Sequence, residues 1–183
     1  QREEAWTWEH MALTRARPVF GSEAVRGDVA AIVAEVLAGR RPSRNLTDEA
    51  ATMRADMARH KPPAGPLDAK LLPGGLVDLE FTVHLAQLAH RTGFDPRLDR
   101  AIAALIDEEL LPAALAPAHD LLTRLLVIMR LVAPDAAEPP PATRDLIARA
   151  LGSADWEAVL AAFSATRHEV QRSWSAMTGV SDG

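Results

Sequence analysis

Apolar residues recur with a period near 3.6 through most of the 183-residue chain, and alternating β-branched runs are hard to find, so the pattern predicts helices rather than strands. A first helix is expected from about Glu3 to Arg17, stopped by Pro18 because the residue before a proline is pushed out of the helical region. A second covers Ser22 to Leu37 and ends at Gly39. The third, Thr47 to His60, sets Leu46, Ala50, Met53 and Met57 on one stripe. Lys61-Pro-Pro-Ala-Gly-Pro66 breaks the chain, and Leu67 to Leu72 has the composition of an extended segment. A fourth helix runs from Leu76 to Arg91 with Gly93 as its stop, and a fifth from Leu98 to Leu110. The sixth starts near Pro112 and places Leu115, Ala118, Leu122, Leu125, Met129 and Val132 at core spacing. Asp135 to Thr143, with its three consecutive prolines, reads as an exposed internal linker before a short helix that ends at Gly152. The last helix follows a Ser153 cap and aligns Trp156, Leu160, Phe163, Val170, Trp174 and Met177. There is no internal repeat. The fold class expected is all-α, a single bundle of about seven to eight helices over residues 1–183.

The fourth helix carries the most informative stretch, Lys-Leu-Leu-Pro-Gly-Gly-Leu-Val-Asp-Leu-Glu-Phe at residues 70–81. It is apolar almost all round, yet Asp78 and Glu80 stand in its first turns. At ~100° per residue the two carboxylates lie about 200° apart, so they address different neighbours. Glu80, His84, Gln87 and Arg91 share a polar face, whereas Asp78 sits among apolar groups. Asp78 is either an acid favoured by the helix dipole or half of a buried ion pair. Glu80 and His84 have the i,i+4 spacing of metal ligands, but no third ligand stands near them and a solvated pair explains them better. No metal ligand and no catalytic residue is assigned. Gly74-Gly75 before the helix, with Lys70, raises a phosphate cradle as one reading and a plain loop-to-helix turn as the stronger one.

The first helix is two-sided. Trp6, Leu13 and Arg17 occupy one face, with Glu9 and His10 beside it, and Trp8, Met11, Ala12 and Arg15 occupy the other. A surface helix buries a single stripe, so both sides are expected to be covered, in part by another domain. Arg15 and Arg17 are the expected partners of Asp78 or Glu80, or contacts for a phosphate.

Composition narrows the function classes. Hydrophobic residues make up 48% and charged residues 25%, ordinary values for a globular domain. A formal charge of −5 provides no basic footprint for nucleic acid. The chain has no cysteine, which removes disulfides, thiolate chemistry and the usual zinc sites, and fits a cytoplasmic location. No apolar run approaches a membrane span and no signal peptide opens the sequence. The first residue is Gln1, so the chain is expected to be an internal piece of something longer.

The two informative stretches together resemble the helical domain of glutamate–ammonia-ligase (glutamine synthetase) adenylyltransferase/adenylyl-removing enzymes. The likeness rests on three motifs in order. They are the tryptophan helix ending Thr-Arg-Ala-Arg at Arg17, the segment Met53-Arg54 with Met57, and Lys70 followed by Gly74, Gly75, Asp78, Glu80 and Phe81. Order and spacing fit across about residues 5–91, and the rest, ending in Arg167, Arg172 and Trp174, fits more loosely. Trp-Thr-Trp-Glu-His at residues 6–10 is similar to the C-terminal, adenylyl-transferring half. Leu72 stands where the commoner motif has glycine, a departure that weakens a phosphate-wrapping role for the loop.

The resemblance implies a helical domain that follows a missing nucleotidyltransferase core. ATP and Mg2+ would serve the full-length enzyme, with none bound to this piece, which would be inactive alone. Glutamine synthetase, a PII-type signalling protein and the enzyme's own core would be its partners. Arg15, Arg17 and Lys70 become candidate phosphate contacts. Trp6, Glu9, Arg54, Gly74, Gly75, Asp78 and Glu80 become residues that hold the structure or meet the core. The competing readings are the helical domain of a PII uridylyltransferase and a free-standing helical interaction module.

Overall fold

A computed structural model of the chain describes residues 7–39 and 43–179. Among them are eight α-helices and no strand: α1 (Thr7–Leu13), α2 (Glu23–Ala38), α3 (Ser43–His60), α4 (Leu76–His90), α5 (Leu98–Asp107), α6 (Leu115–Val132), α7 (Pro141–Leu151) and α8 (Trp156–Thr178). The all-α expectation therefore holds. Trp6 lies outside the described residues.

The helix ends follow local chemistry, with three departures from expectation. Ser22, expected as the first residue of α2, is its cap and accepts from the Val25 amide. The cap of α8 is Asp155, whose carboxylate takes the Ala158 amide at 2.8 Å, and not Ser153. A carboxylate caps as well as a hydroxyl does and also meets the positive end of the helix dipole. Helix α4 is closed by Arg91 in the left-handed conformation (φ 57°), two residues before Gly93. The third departure is the proline segment. Pro141 opens α7, where its missing N–H costs nothing, while Ala136 and Pro139 are buried. Arg144 Nε donates to the Pro139 carbonyl at 2.7 Å and Trp156 Nε1 to Glu138 at 3.1 Å, so residues 135–140 form an anchored strap.

Residues 67–72 are a compact turn rather than an extended segment. The Asp68 carboxylate takes the amides of Ala64, Lys70 and Leu71, each at 3.0 Å, and the Leu67 amide donates to Ala136 O at 3.0 Å. An aspartate that satisfies three amides at once favours a turn over a strand ladder.

Helix α4 is the axis of the structure, which accounts for its lack of a polar side. Leu76, Leu79, Val83 and Ala86 point into one apolar cluster built with α5, α6, α7 and α8. Val77, Phe81, Leu85 and Leu88 point into a second, with Met11, Leu37, Leu46, Ala50 and Trp174. Each set follows the 3–4-residue spacing of a helix face, and the two sets lie on opposite sides. Phe81 meets Trp174 of α8 edge to face, ring centres 6.0 Å apart.

Gly74 lets α4 and α8 approach. It adopts φ +74°, and a Cβ there would overlap the backbone carbonyl of Arg167 on α8. A Cβ at Gly75 would come within 2.9 Å of three carbonyl oxygens of the 69–72 turn. Gly74→Ala is expected to cost roughly 3 kcal/mol or more, since backbone on both sides prevents relief. Gly152 also has a positive φ, but open space surrounds it. Gly152→Ala should cost only about 1 kcal/mol, and denaturant melts of the two variants check both values.

Candidate functional site

Asp78 is buried at the start of α4 and both of its oxygens are occupied. Oδ1 accepts from Arg54 Nε of α3, and Oδ2 accepts from the Gly74 amide at 2.5 Å. Arg54 is itself buried and donates through Nη2 to the Leu71 carbonyl at 3.3 Å. The ion-pair reading of Asp78 is thus the one that applies. Its cation comes from α3, whereas the opening segment was expected to supply it. On the far side of the loop, Arg167 Nε donates to the Pro73 carbonyl at 2.8 Å, with its guanidinium 5.5 Å above the Phe163 ring. Helices α3, α4 and α8 therefore meet at one short loop.

The amide groups at this helix start are consumed internally. Gly74 N–H goes to Asp78, Gly75 N–H to Leu72 O at 2.8 Å, Leu76 N–H to Ala69 O at 2.9 Å, and Val77 N–H to Lys70 O at 3.1 Å. A phosphate would have to displace these bonds, so the double glycine serves close packing and not an anion cradle. Lys70 keeps its side chain exposed beside the turn.

Glu80 meets one of the two arginines expected for it, and not His84, whose partners are Thr14 and Gln87. Arg15 Nη1 lies 3.7 Å from its carboxylate, across from α1, in a half-exposed pair. Arg17 is exposed and Glu9 is half-buried on α1. Helix α1 buries Thr7, His10 and Met11 and leaves Trp8 and Ala12 open, with Arg15 exposed in the turn that follows it. Among the described residues one face of α1 is covered, and the Trp8 side is left open to cover from outside this chain, as the two-sided pattern requires. Thr7 Oγ1 donates to Glu49 of α3, which fixes its other end.

The sequence reading missed a buried polar string on α4. His84 and Gln87 were placed on a solvated face, but both are buried. His84 Nδ1 lies 2.9 Å from Thr14 Oγ1 and 3.0 Å from Gln87 Oε1, and Gln87 Nε2 donates to Gly93 O at 2.8 Å. Thr14 Oγ1 already donates to Met11 O at 2.7 Å. Its hydrogen is used, and Gln87 Oε1 only accepts, so the proton of the neutral ring sits on Nδ1. Nε2 is left without a partner. The clue in the sequence was two polar residues in a helix too apolar to have a wet side.

Burial is the main cause that pushes the His84 imidazole down to about 4; the bond it donates to Gln87 opposes this and Arg15 adds repulsion. A histidine with a depressed pKa binds fewer protons folded than unfolded between about pH 4 and 6.5. Stability should therefore fall as pH drops through that window, by at most about 3 kcal/mol. Urea melts at pH 7 and pH 4.5 would show it, and His84→Asn should flatten the difference.

No family model matches the chain. Curated proteins do match it. One is the bifunctional glutamine synthetase adenylyltransferase/adenylyl-removing enzyme of Brucella suis biovar 1 (strain 1330), 39% identical over 168 residues, or 87% of this chain and 17% of that protein. The enzyme of the same name from Bradyrhizobium diazoefficiens (strain JCM 10833 / BCRC 13528 / IAM 13628 / NBRC 14792 / USDA 110) is 33% identical over 97% of this chain and 19% of its own length. The chain is homologous to a segment of that enzyme family. A third relative of that name, from Mesorhizobium japonicum (strain LMG 29417 / CECT 9101 / MAFF 303099), reaches 47% identity over 97 residues, 53% of the chain. The chain spans less than a fifth of the length of these enzymes.

Two substitutions separate the two acids of α4. Arg54→Ala strands a buried carboxylate and should cost about 3–5 kcal/mol in thermal or denaturant melts. Arg15→Ala removes a half-exposed pair and should cost under about 1 kcal/mol.

Proposed function

We propose that this bundle is the helical domain that follows the nucleotidyltransferase core in the C-terminal, adenylyl-transferring half of a cytoplasmic bifunctional glutamine synthetase adenylyltransferase/adenylyl-removing enzyme. The core would bind ATP and Mg2+ and carry the chemistry, with glutamine synthetase as substrate and a PII-type protein as regulator. The bundle would seat the core and hold the protein partners.

The observation that carries this reading is the open apolar layer on α1, α2 and the loop between them. Helix α2 is rich in Ala, Val and Ile all round, yet among its residues only Leu37 is buried. Val25, Val29 and Ile32 are exposed, as are Trp8 at 53% and Phe20 at 91%. Apolar side chains left open on this scale, with only Glu23, Arg26, Asp28 and Glu35 among them on α2, mark a surface that other protein covers. This layer lies on the α1 side, where a core preceding the bundle would join it.

Arg15 and Arg17 rise from the same layer and are the side chains best placed to meet a nucleotide's phosphates at that junction, with Lys70 a third candidate. The loop amides are taken, as described above, so any phosphate contact would come from these cationic tips. Arg15 is held toward α4 by Glu80, which fixes its direction at the edge of the layer. Adenylyl transfer requires cations around the phosphates as charge develops, and guanidinium groups supply that without a proton step.

Ile32→Asp and Arg17→Ala, made in the full-length protein, test this. Both residues are exposed, so the bundle should melt normally. Adenylylation of glutamine synthetase should fall roughly ten- to hundredfold through misplacement of the core or loss of a phosphate contact. A normal rate with a normal effector response in both variants would discard the assignment.

A further inference from the structure

The molecule has a second open apolar surface, distant in the fold from α1 and α2. On α6, Val127 and Leu131 are 54% and 80% exposed, and on α7 Leu146 is 58% exposed. Arg124 of α6 reaches the last turn of α7, donating from Nη2 to the Ala150 carbonyl at 2.5 Å. The α6–α7 connection is short, so the helices run antiparallel. With Arg124 opposite Ala150, one turn onward on α6 is Val127 and one turn back on α7 is Leu146. Leu131 is one turn beyond Val127. The three apolar side chains thus line the seam between the two helices.

Charge distinguishes this seam from the rest of the chain. Arg130 stands three positions after Val127 and Arg149 three after Leu146, each one helical turn along the same side. Helices α6 and α7 together carry four arginines against two aspartates, in a chain of net charge −5. Arg124 is paired with Asp120 and Arg144 with Glu138, whereas Arg130 and Arg149 have no ion-pair partner among the described residues. Arg149 uses only Nε, toward the Asp145 carbonyl.

We propose that the α6–α7 seam docks an acidic, amphipathic helix of a partner protein, its apolar stripe on Val127, Leu131 and Leu146 and its carboxylates on Arg130 and Arg149. Two antiparallel helices with apolar side chains along their seam form the groove such helices occupy, read as i, i+4 anchors. The unneutralised arginines select the sign of the partner's charge and speed its approach. A membrane surface suits the seam less well, because it favours a single strongly amphipathic helix with many basic residues. This inference concerns α6 and α7 alone and stands apart from the docking of the core on α1 and α2.

A synthetic amphipathic helix with a leucine stripe flanked by glutamates is the probe, with a lysine-flanked twin as its control. Fluorescence anisotropy should show the glutamate peptide binding at least tenfold tighter than the twin, with affinity falling as salt rises. Leu131→Asp and Arg130→Glu should each weaken it tenfold or more. Both positions are exposed, so unchanged thermal melting shows that docking rather than folding is lost. Ile32→Asp on α2 should leave binding intact. Equal affinity for the two peptides, no binding of either, or indifference to Leu131→Asp would overturn the proposal. Anionic vesicles binding through this face in place of the peptide would also overturn it. So would self-association of the chain, seen by sedimentation and abolished by Leu131→Asp.

Discussion

A carboxylate in the middle of an apolar bundle has to be neutralised, and the way Asp78 is neutralised organises the structure around it. Taking an ion out of water costs several kcal/mol unless a counter-charge and hydrogen bonds replace the lost hydration. Arg54 brings the charge from α3, and the Gly74 amide supplies the remaining bond. The loop that presents this amide needs glycine at 74, because α8 passes so closely that no side chain fits. Arg167 then ties α8 to the same loop through the Pro73 carbonyl. One acidic residue thus sets the relative positions of three helices, and the double glycine exists to let them converge.

Around that node the bundle divides into two apolar clusters that share α4 and α8. The smaller, with α1, α2 and α3, is the less self-sufficient. Helix α1 and the turn after it are held by polar attachments: Thr7 to Glu49, Thr14 to His84, and Arg15 to Glu80. Such attachments orient a helix without burying much surface, and they leave the Trp8 face and nearly all of α2 open. The larger cluster closes on itself, its open ground confined to the α6–α7 seam. The two uncovered surfaces differ in character: the first is broadly apolar, as permanent interfaces are, and the second is small and flanked by arginines, as suits a partner that comes and goes.

Much of the fold was legible in the residues, because helical periodicity and helix-stopping residues are local properties. Seven of the helices described here fall within a few residues of the ends the sequence predicts, and α1 stops at Leu13, four residues before the expected Arg17. The cap predicted for α8, Ser153, lies two residues from the observed Asp155, because several small polar residues before a helix compete for the same local job. The importance of Asp78, Glu80, Gly74 and Arg54 was also visible, since acids in an apolar helix and paired glycines before it break the expected pattern. The pairing of Glu80 with Arg15 was among the options the spacing allowed.

The partner of Asp78, the burial of His84 and Gln87, and the uncovered side of α1 were decided elsewhere. Each depends on which helix lies across from which, and residues 24 or 70 positions apart in the chain carry no mutual signature of contact. A histidine on a helix face reads as solvated until a neighbouring threonine closes over it. A glycine pair before a helix leaves a phosphate loop open as one reading until its two amides are seen to be spent on a carboxylate and a carbonyl. The chain alone thus established that it is helical, where its helices stop and which residues are out of place in them. Only packing could say what answers those residues, because burial and pairing are properties of surfaces brought together and not of any single stretch.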